Sequence, residues 1–66
     1  MIRRPVSSSR ISSTGWEDNI MEVQFHSGKV YQYFNVTKAE YNGFMASPSL
    51  GSALSKLDKT HDYRPL

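Results

Sequence analysis

The stretch Met21-Glu22-Val23-Gln24-Phe25-His26-Ser27-Gly28-Lys29-Val30-Tyr31-Gln32-Tyr33-Phe34 constrains the fold more than any other part of the chain. Met21, Val23 and Phe25 share one parity while Glu22, Gln24 and His26 share the other, and strand side chains alternate faces with a period of two. Ser27-Gly28 then reads as the tip of a hairpin, because glycine supplies the positive φ that a tight loop needs. With those two residues at the tip, His26 faces Lys29, Phe25 faces Val30, Val23 faces Gln32 and Met21 faces Phe34. One face carries Met21, Val23, Phe25, Val30, Gln32 and Phe34 and is the expected core side. The other carries Ile20, Glu22, Gln24, His26, Lys29, Tyr31 and Tyr33. A slip of one residue would exchange the faces of one strand, so the register matters.

The chain of 66 residues is expected to form one domain, since a fold of about 50 residues or more already uses most of it. A core of this size supplies only a few kcal/mol of net stability, so burial against a partner or a second copy would help it. Cysteine is absent, which excludes disulfide frameworks, thiolate metal sites and cysteine nucleophiles, and fits a cytoplasmic location. No apolar run is long enough to span a bilayer, and a soluble protein is expected. The net charge is +2, with Arg3, Arg4 and Arg10 all preceding Glu17-Asp18, so the positive charge concentrates near the start.

Residues 1–5 read as a flexible basic arm ahead of a single domain over 6–66, because Pro5 cannot donate to a ladder. Val6 to Trp16 reads as a first or edge strand, rich in serine, in which the spacing of Val6 and Ile11 calls for a bulge or for Val6 to anchor the entry before pairing begins. Gly15 followed by Glu17-Asp18-Asn19 reads as the turn into the hairpin. After Phe34 the period changes. Thr37 as N-cap, Glu40 three residues later and Val36 placed to pack on Tyr41 mark a helix start, and Tyr41, Phe44 and Met45 give that helix an apolar face. Ser47-Pro48 marks a second start, with Leu50, Ala53, Leu54 and Leu57 at i, i+3, i+4 and i+7. Tyr63 to Leu66 can tuck against the sheet or close a short final strand. The expected architecture is α+β, a small antiparallel sheet of about three strands with two short helices packed on one face and the other face open.

The residues give little to catalysis. His26 lies at a hairpin tip and His61 beside Asp62 near the end, without the spacing of a nucleophile and base or of a metal site, so no enzyme activity, metal or cofactor is expected. Gly28 belongs to the hairpin, and the remaining glycines form no phosphate-binding fingerprint. The informative constellation is aromatic and cationic: Tyr31 and Tyr33 on the expected open face, Lys29 at its end, and Arg10 and Trp16 on the neighbouring strand. Such surfaces bind single-stranded nucleic acid, stacking bases on rings while Lys and Arg track phosphates. The same tyrosines can equally be cover for the sheet, packed against Gln24 and Glu22, or the centre of a protein contact. Glu22 within the patch opposes phosphate.

Ser8 with Ile11, then Phe25-x-Ser27-Gly28-x-Val30-Tyr31-x-Tyr33-Phe34, then Val36 and Tyr41, then Ser49-x-Gly51 and a late Tyr63, resembles the KTSC domain, named for its occurrence at the C-terminus of some lysyl-tRNA synthetases. The resemblance runs from about Val6 to Tyr63. It implies a stand-alone copy of the kind found in small bacterial and phage proteins, and a role in binding RNA or tRNA. Where family members often carry a bulkier aromatic pair after Ser-x-Gly, this chain has Ala53 and Leu54. The expected function is a non-catalytic nucleic-acid-binding module, with Tyr31 and Tyr33 stacking and Lys29, Arg10, Arg3, Arg4 and Trp16 assisting. The alternative is a protein-interaction module, self-associating or bound to a host protein, that uses the same tyrosines.

Overall fold

The computed structural model describes residues 1–66. Five strands pair in chain order in one antiparallel sheet: β1 (Arg4–Pro5), β2 (Ile11–Glu17), β3 (Ile20–Phe25), β4 (Val30–Tyr33) and β5 (Tyr63–Pro65). Two helices, α1 (Lys38–Met45) and α2 (Leu50–Thr60), lie between β4 and β5 in sequence. The α+β class with two helices holds, but the sheet has five strands rather than about three. The two extra strands are the shortest, β1 of two residues and β5 of three, and neither is long enough to show an alternating pattern. Arg4 and Pro5 of the expected arm therefore stand in a ladder, opposite Thr14 and Ser13. No helix is long and apolar enough to cross a membrane.

The turn between β2 and β3 is Asp18-Asn19, both at positive φ (51° and 63°), closing a two-residue loop in which Glu17 faces Ile20. This is the backbone of a type I′ turn, whose twist matches that of the flanking strands. Gly15, expected in the turn, lies inside β2, where an added Cβ would stand 2.5 Å from the Ile2 carbonyl oxygen. The register shift lies between Ile11 and Ser13, beyond the Val6–Ile11 interval in which a bulge was expected. Val6 anchors the entry through its N–H to the Ser12 carbonyl.

The expected β3–β4 register is wrong by one residue. Gln24 faces Val30, Val23 faces Tyr31, Glu22 faces Gln32 and Met21 faces Tyr33. The loop holds three residues, His26-Ser27-Gly28: the Gly28 N–H donates to the Phe25 carbonyl, the Phe25 N–H donates to the Lys29 carbonyl, and Gly28 takes φ +93°. That is a turn closed by a bulged glycine, the other common way to build a short hairpin. One extra loop residue moves the whole β4 strand to the opposite facing. Tyr31 and Tyr33 consequently join Met21 and Val23 beneath the helices, while Val30 and Gln32 turn away from them.

Eight buried residues form the core: Ile11, Met21, Val23, Tyr33, Val36, Phe44, Leu50 and Leu54. Helix α1 begins as expected, with a reciprocal capping box: Glu40 N–H donates to Thr37 Oγ1 and Thr37 N–H to Glu40 Oε1. Helix α2 starts two residues later than Ser47-Pro48 suggested, because the side chain that accepts the first free N–H, from Ser52, is that of Ser49. Leu50 and Leu54 are buried, and Ala53 and Leu57 pack partly against the core, so the apolar stripe faces as expected. His61 closes the helical layer: its Nδ1 donates to the Phe34 carbonyl (2.9 Å) and its Nε2 lies 2.9 Å from Glu40 Oε2. The Thr37 N–H and then the His61 ring hold the Glu40 carboxyl below its ordinary range.

On the far face the sheet is polar. Arg3 pairs with Glu22 at 2.6 Å, Gln32 Nε2 donates to Glu22 at 3.0 Å, and Ser13 Oγ donates to Gln24. Glu22 is only 6 % exposed even on this uncovered side.

Candidate functional site

The strand order brings β5 against β4 with Tyr63 facing Tyr33 and Pro65 facing Tyr31. The final segment thus does both things open to it, forming a strand and covering the tyrosines. Because facing residues in a ladder share a side, the Tyr63 ring lands on those of its neighbours. Its centroid is 5.1 Å from that of Tyr33 in a stacked arrangement and 5.8 Å from that of Tyr31, and Phe25 meets Tyr31 edge-on at 5.6 Å. The cluster is graded in exposure: Tyr33 is 2 % exposed, Tyr31 is half-buried, and Tyr63 at 47 % forms the outer surface. These rings line a groove of about 430 Å³ between the β3–β4 turn and the end of α2.

Charged groups reach the groove from three separate parts of the chain. Lys29 leaves the β3–β4 turn, and Arg10 comes from the segment before β2. The turn and that segment are tied together, His26 Nε2 standing 2.7 Å from the Ser8 carbonyl and the His26 N–H donating to the Arg10 carbonyl at 3.0 Å. The Arg10 guanidinium lies along α2, donating to the Gly51 carbonyl (3.3 Å), with Ser55 Oγ at 3.5 Å. Its Cδ passes 3.1 Å from where a Cβ on Gly51 would be, so a side chain there would push Arg10 aside by a few tenths of an ångström. Beyond Arg10 the groove adjoins a second cleft of about 360 Å³ whose lining is hydroxyl-rich, with Ser8, Ser49 and Ser52 among its members.

Asp58 supplies the third charge. Tyr33 Oη donates to its Oδ1 at 2.5 Å, a short bond of the charge-assisted kind. Burial, and then this hydrogen bond to Asp58, push the Tyr33 phenol far above its ordinary value, so the ring stays neutral.

Of the residues expected at the site, the structure brings together Tyr31, Tyr33, Lys29 and Arg10, but on the helix-covered side and with Tyr33 as floor rather than surface. Arg3 is across the sheet, bound to Glu22. Arg4 is exposed on the β1 edge. Trp16 sits at the other end of the sheet, its Nε1 donating to the Val36 carbonyl at 2.7 Å with the Lys38 ammonium 5.8 Å from its ring. Three residues were missed: Phe25, Tyr63 and Asp58. A three-residue reading of His26-Ser27-Gly28 would have placed Phe25 beside the tyrosines. The spacing Gly51, Ser55, Asp58 marks one stripe of α2, which would have drawn attention to Asp58 once Arg10 was set upon it.

Residues 7–63 match the family model of the KTSC domain. The crystal structure of a KTSC domain protein from Yersinia pestis superposes with a TM-score of 0.89 at 37% sequence identity, covering 98% of this chain and 96% of that one. Among curated proteins, none matches the chain significantly. The family model spans most of the sequence and the structural relative nearly all of it, and on those grounds the chain belongs to the KTSC domain family.

Proposed function

We propose that this chain is a non-catalytic module that binds single-stranded nucleic acid, RNA in particular, in the groove formed by Tyr63, Tyr31 and Phe25 and rimmed by Arg10 and Lys29. The observation that carries the reading is the convergence of the exposed Tyr63 and half-buried Tyr31 rings with two cations from distant parts of the chain in one groove. A base laid on an aromatic ring gains roughly 1 to 3 kcal/mol whatever its identity, and cations beside it hold the phosphates. A groove of this size falls within the range that takes a small organic group. Both histidines are engaged with backbone carbonyls, which favours a binding role over proton transfer. The expected setting is the cytoplasm, where RNA is available.

The test is fluorescence anisotropy of a labelled, random-sequence single-stranded RNA over a salt series. Two phosphate contacts give a log–log slope of about −1.4, so affinity should fall roughly sevenfold between about 50 and 200 mM salt. Tyr63→Ala should weaken binding at least fivefold, and Arg10→Ala with Lys29→Ala should flatten the salt dependence. An RNA pool that does not bind at low salt overturns the reading. If the chain then dimerises through the Tyr63 face, the groove is a protein contact instead.

A further inference from the structure

Asp58 is an awkward residue in a groove that receives phosphates. Its carboxylate lines the groove, accepts one hydrogen bond from Tyr33 at 2.5 Å and forms no ion pair. Arg10, laid along the same stripe of α2, bonds the Gly51 carbonyl and approaches Ser55 instead. An unpaired carboxylate repels a phosphate backbone, so in a nucleic-acid groove the role open to Asp58 beyond holding the Tyr33 hydroxyl is to face hydrogen-bond donors. A carboxylate has about four lone-pair positions on two oxygens, and Tyr33 occupies one of them. Tyr33 also holds the group still, being buried in the core.

Base edges differ in what they offer such an acceptor. Guanine presents two adjacent donors on its Watson–Crick edge, the N1–H and the 2-amino group, which match the two oxygens of one carboxylate. Adenine and cytosine present a single amino group beside an acceptor. Uracil presents one N–H between two carbonyls that a carboxylate repels. We propose that the groove is a guanine-selective pocket for single-stranded RNA, in which the tyrosine stack holds the base and the Asp58 carboxylate accepts from N1–H and the 2-amino group. The proposal rests on the nucleic-acid reading above and adds base identity to it.

The experiment compares labelled oligouridylate with the same oligomer carrying a single central guanine, adenine, cytosine or inosine, each titrated with the full chain. The guanine oligomer should bind about tenfold tighter than oligouridylate, within the range measured for one bidentate base contact. Inosine, which lacks the 2-amino group, should lose most of that advantage in the unmodified protein. Asp58→Asn keeps an oxygen for the Tyr33 hydroxyl but replaces one acceptor by a donor, and should reduce the guanine-to-uracil ratio to about one. Lys56→Ala, outside the groove, should leave the ratio at about ten. Equal affinity for all five oligomers, or a ratio unchanged in Asp58→Asn, overturns guanine selection while leaving nucleic-acid binding in place. Absence of binding to every oligomer overturns both.

Discussion

The β2–β3 turn spans two residues, Asp18-Asn19, and the β3–β4 turn spans three, His26-Ser27-Gly28. In the first, facing residues have opposite parity, as with Trp16 and Met21; in the second they have the same parity, as with Met21 and Tyr33. The odd residue in the second loop sends Tyr31 and Tyr33 under the helices and Gln32 to the far side. It thereby makes two unlike faces. The covered face is aromatic, holds the core and ends in the groove; the uncovered face is organised around Glu22, Arg3 and Gln32. Loop length in a short hairpin thus governs which side chains are available for function.

The unlike faces should respond to truncation by different mechanisms. On the covered side, Leu54 is fully buried, and Leu54→Ala should cost about 2 to 5 kcal/mol from lost burial and the cavity left behind. In a fold of this size that is enough to unfold most of the population, which urea titration followed by circular dichroism will show. On the uncovered side, Arg3→Ala leaves the buried Glu22 with Gln32 alone, and should cost about 1 to 3 kcal/mol. Glu22→Gln in the same chain should recover most of the loss, because the charge is then gone. If Arg3→Ala is silent, Glu22 does not depend on Arg3 and the uncovered face makes no electrostatic demand of its own.

The turns can be opposed directly. Gly28 sits at φ +93°, so Gly28→Ala should cost about 1 to 2 kcal/mol through backbone conformation, with space around it for the added methyl. Asn19 sits at φ +63° in the other turn, and Asn19→Gly should be neutral or stabilising by a few tenths of a kcal/mol, glycine being favoured at that position. Thermal unfolding of both variants checks the pair. Equal effects would mean that the two loops are not the different turns described.

What was legible in the sequence was local. Thr37 and Glu40 lie three residues apart and their capping box needs nothing else; Leu50, Ala53, Leu54 and Leu57 repeat on one helix face over a length that shows the period. The hairpin register was not legible, because Ser27-Gly28 suits both a two-residue loop with glycine second and a three-residue loop with glycine last. Both registers put apolar residues on the covered face, Val30 and Phe34 in one and Tyr31 and Tyr33 in the other, so patterning did not arbitrate. Core packing did, by accepting the Tyr33 ring and giving its hydroxyl Asp58 as a partner. Strands β1 and β5 were hidden for another reason: two or three residues carry no periodicity, and both contain proline, which argues against a ladder except at an edge. The site inherits these limits, since Tyr63 enters it through β5 and Asp58 through Tyr33.

Tyr33 provides the finest test of which face β4 presents. On an uncovered sheet face a phenol would ionise in its ordinary range, near pH 10. Under the helices, burial and the bond to Asp58 push its value upward, so the neutral ring is the form the fold holds. A group whose folded value is raised contributes stability that is fully present below the ordinary value and is lost as pH climbs from there towards the folded value. The Tyr33 contribution should therefore be constant near neutrality, and wild-type stability should decline above about pH 10. Tyr33→Phe lacks both the hydrogen bond and the ionisation. It should be less stable than wild type at neutral pH, and the gap between the two urea midpoints should narrow as pH passes about 10. A gap that stays constant to about pH 11 would place the Tyr33 hydroxyl in water and return β4 to the register with the two-residue loop.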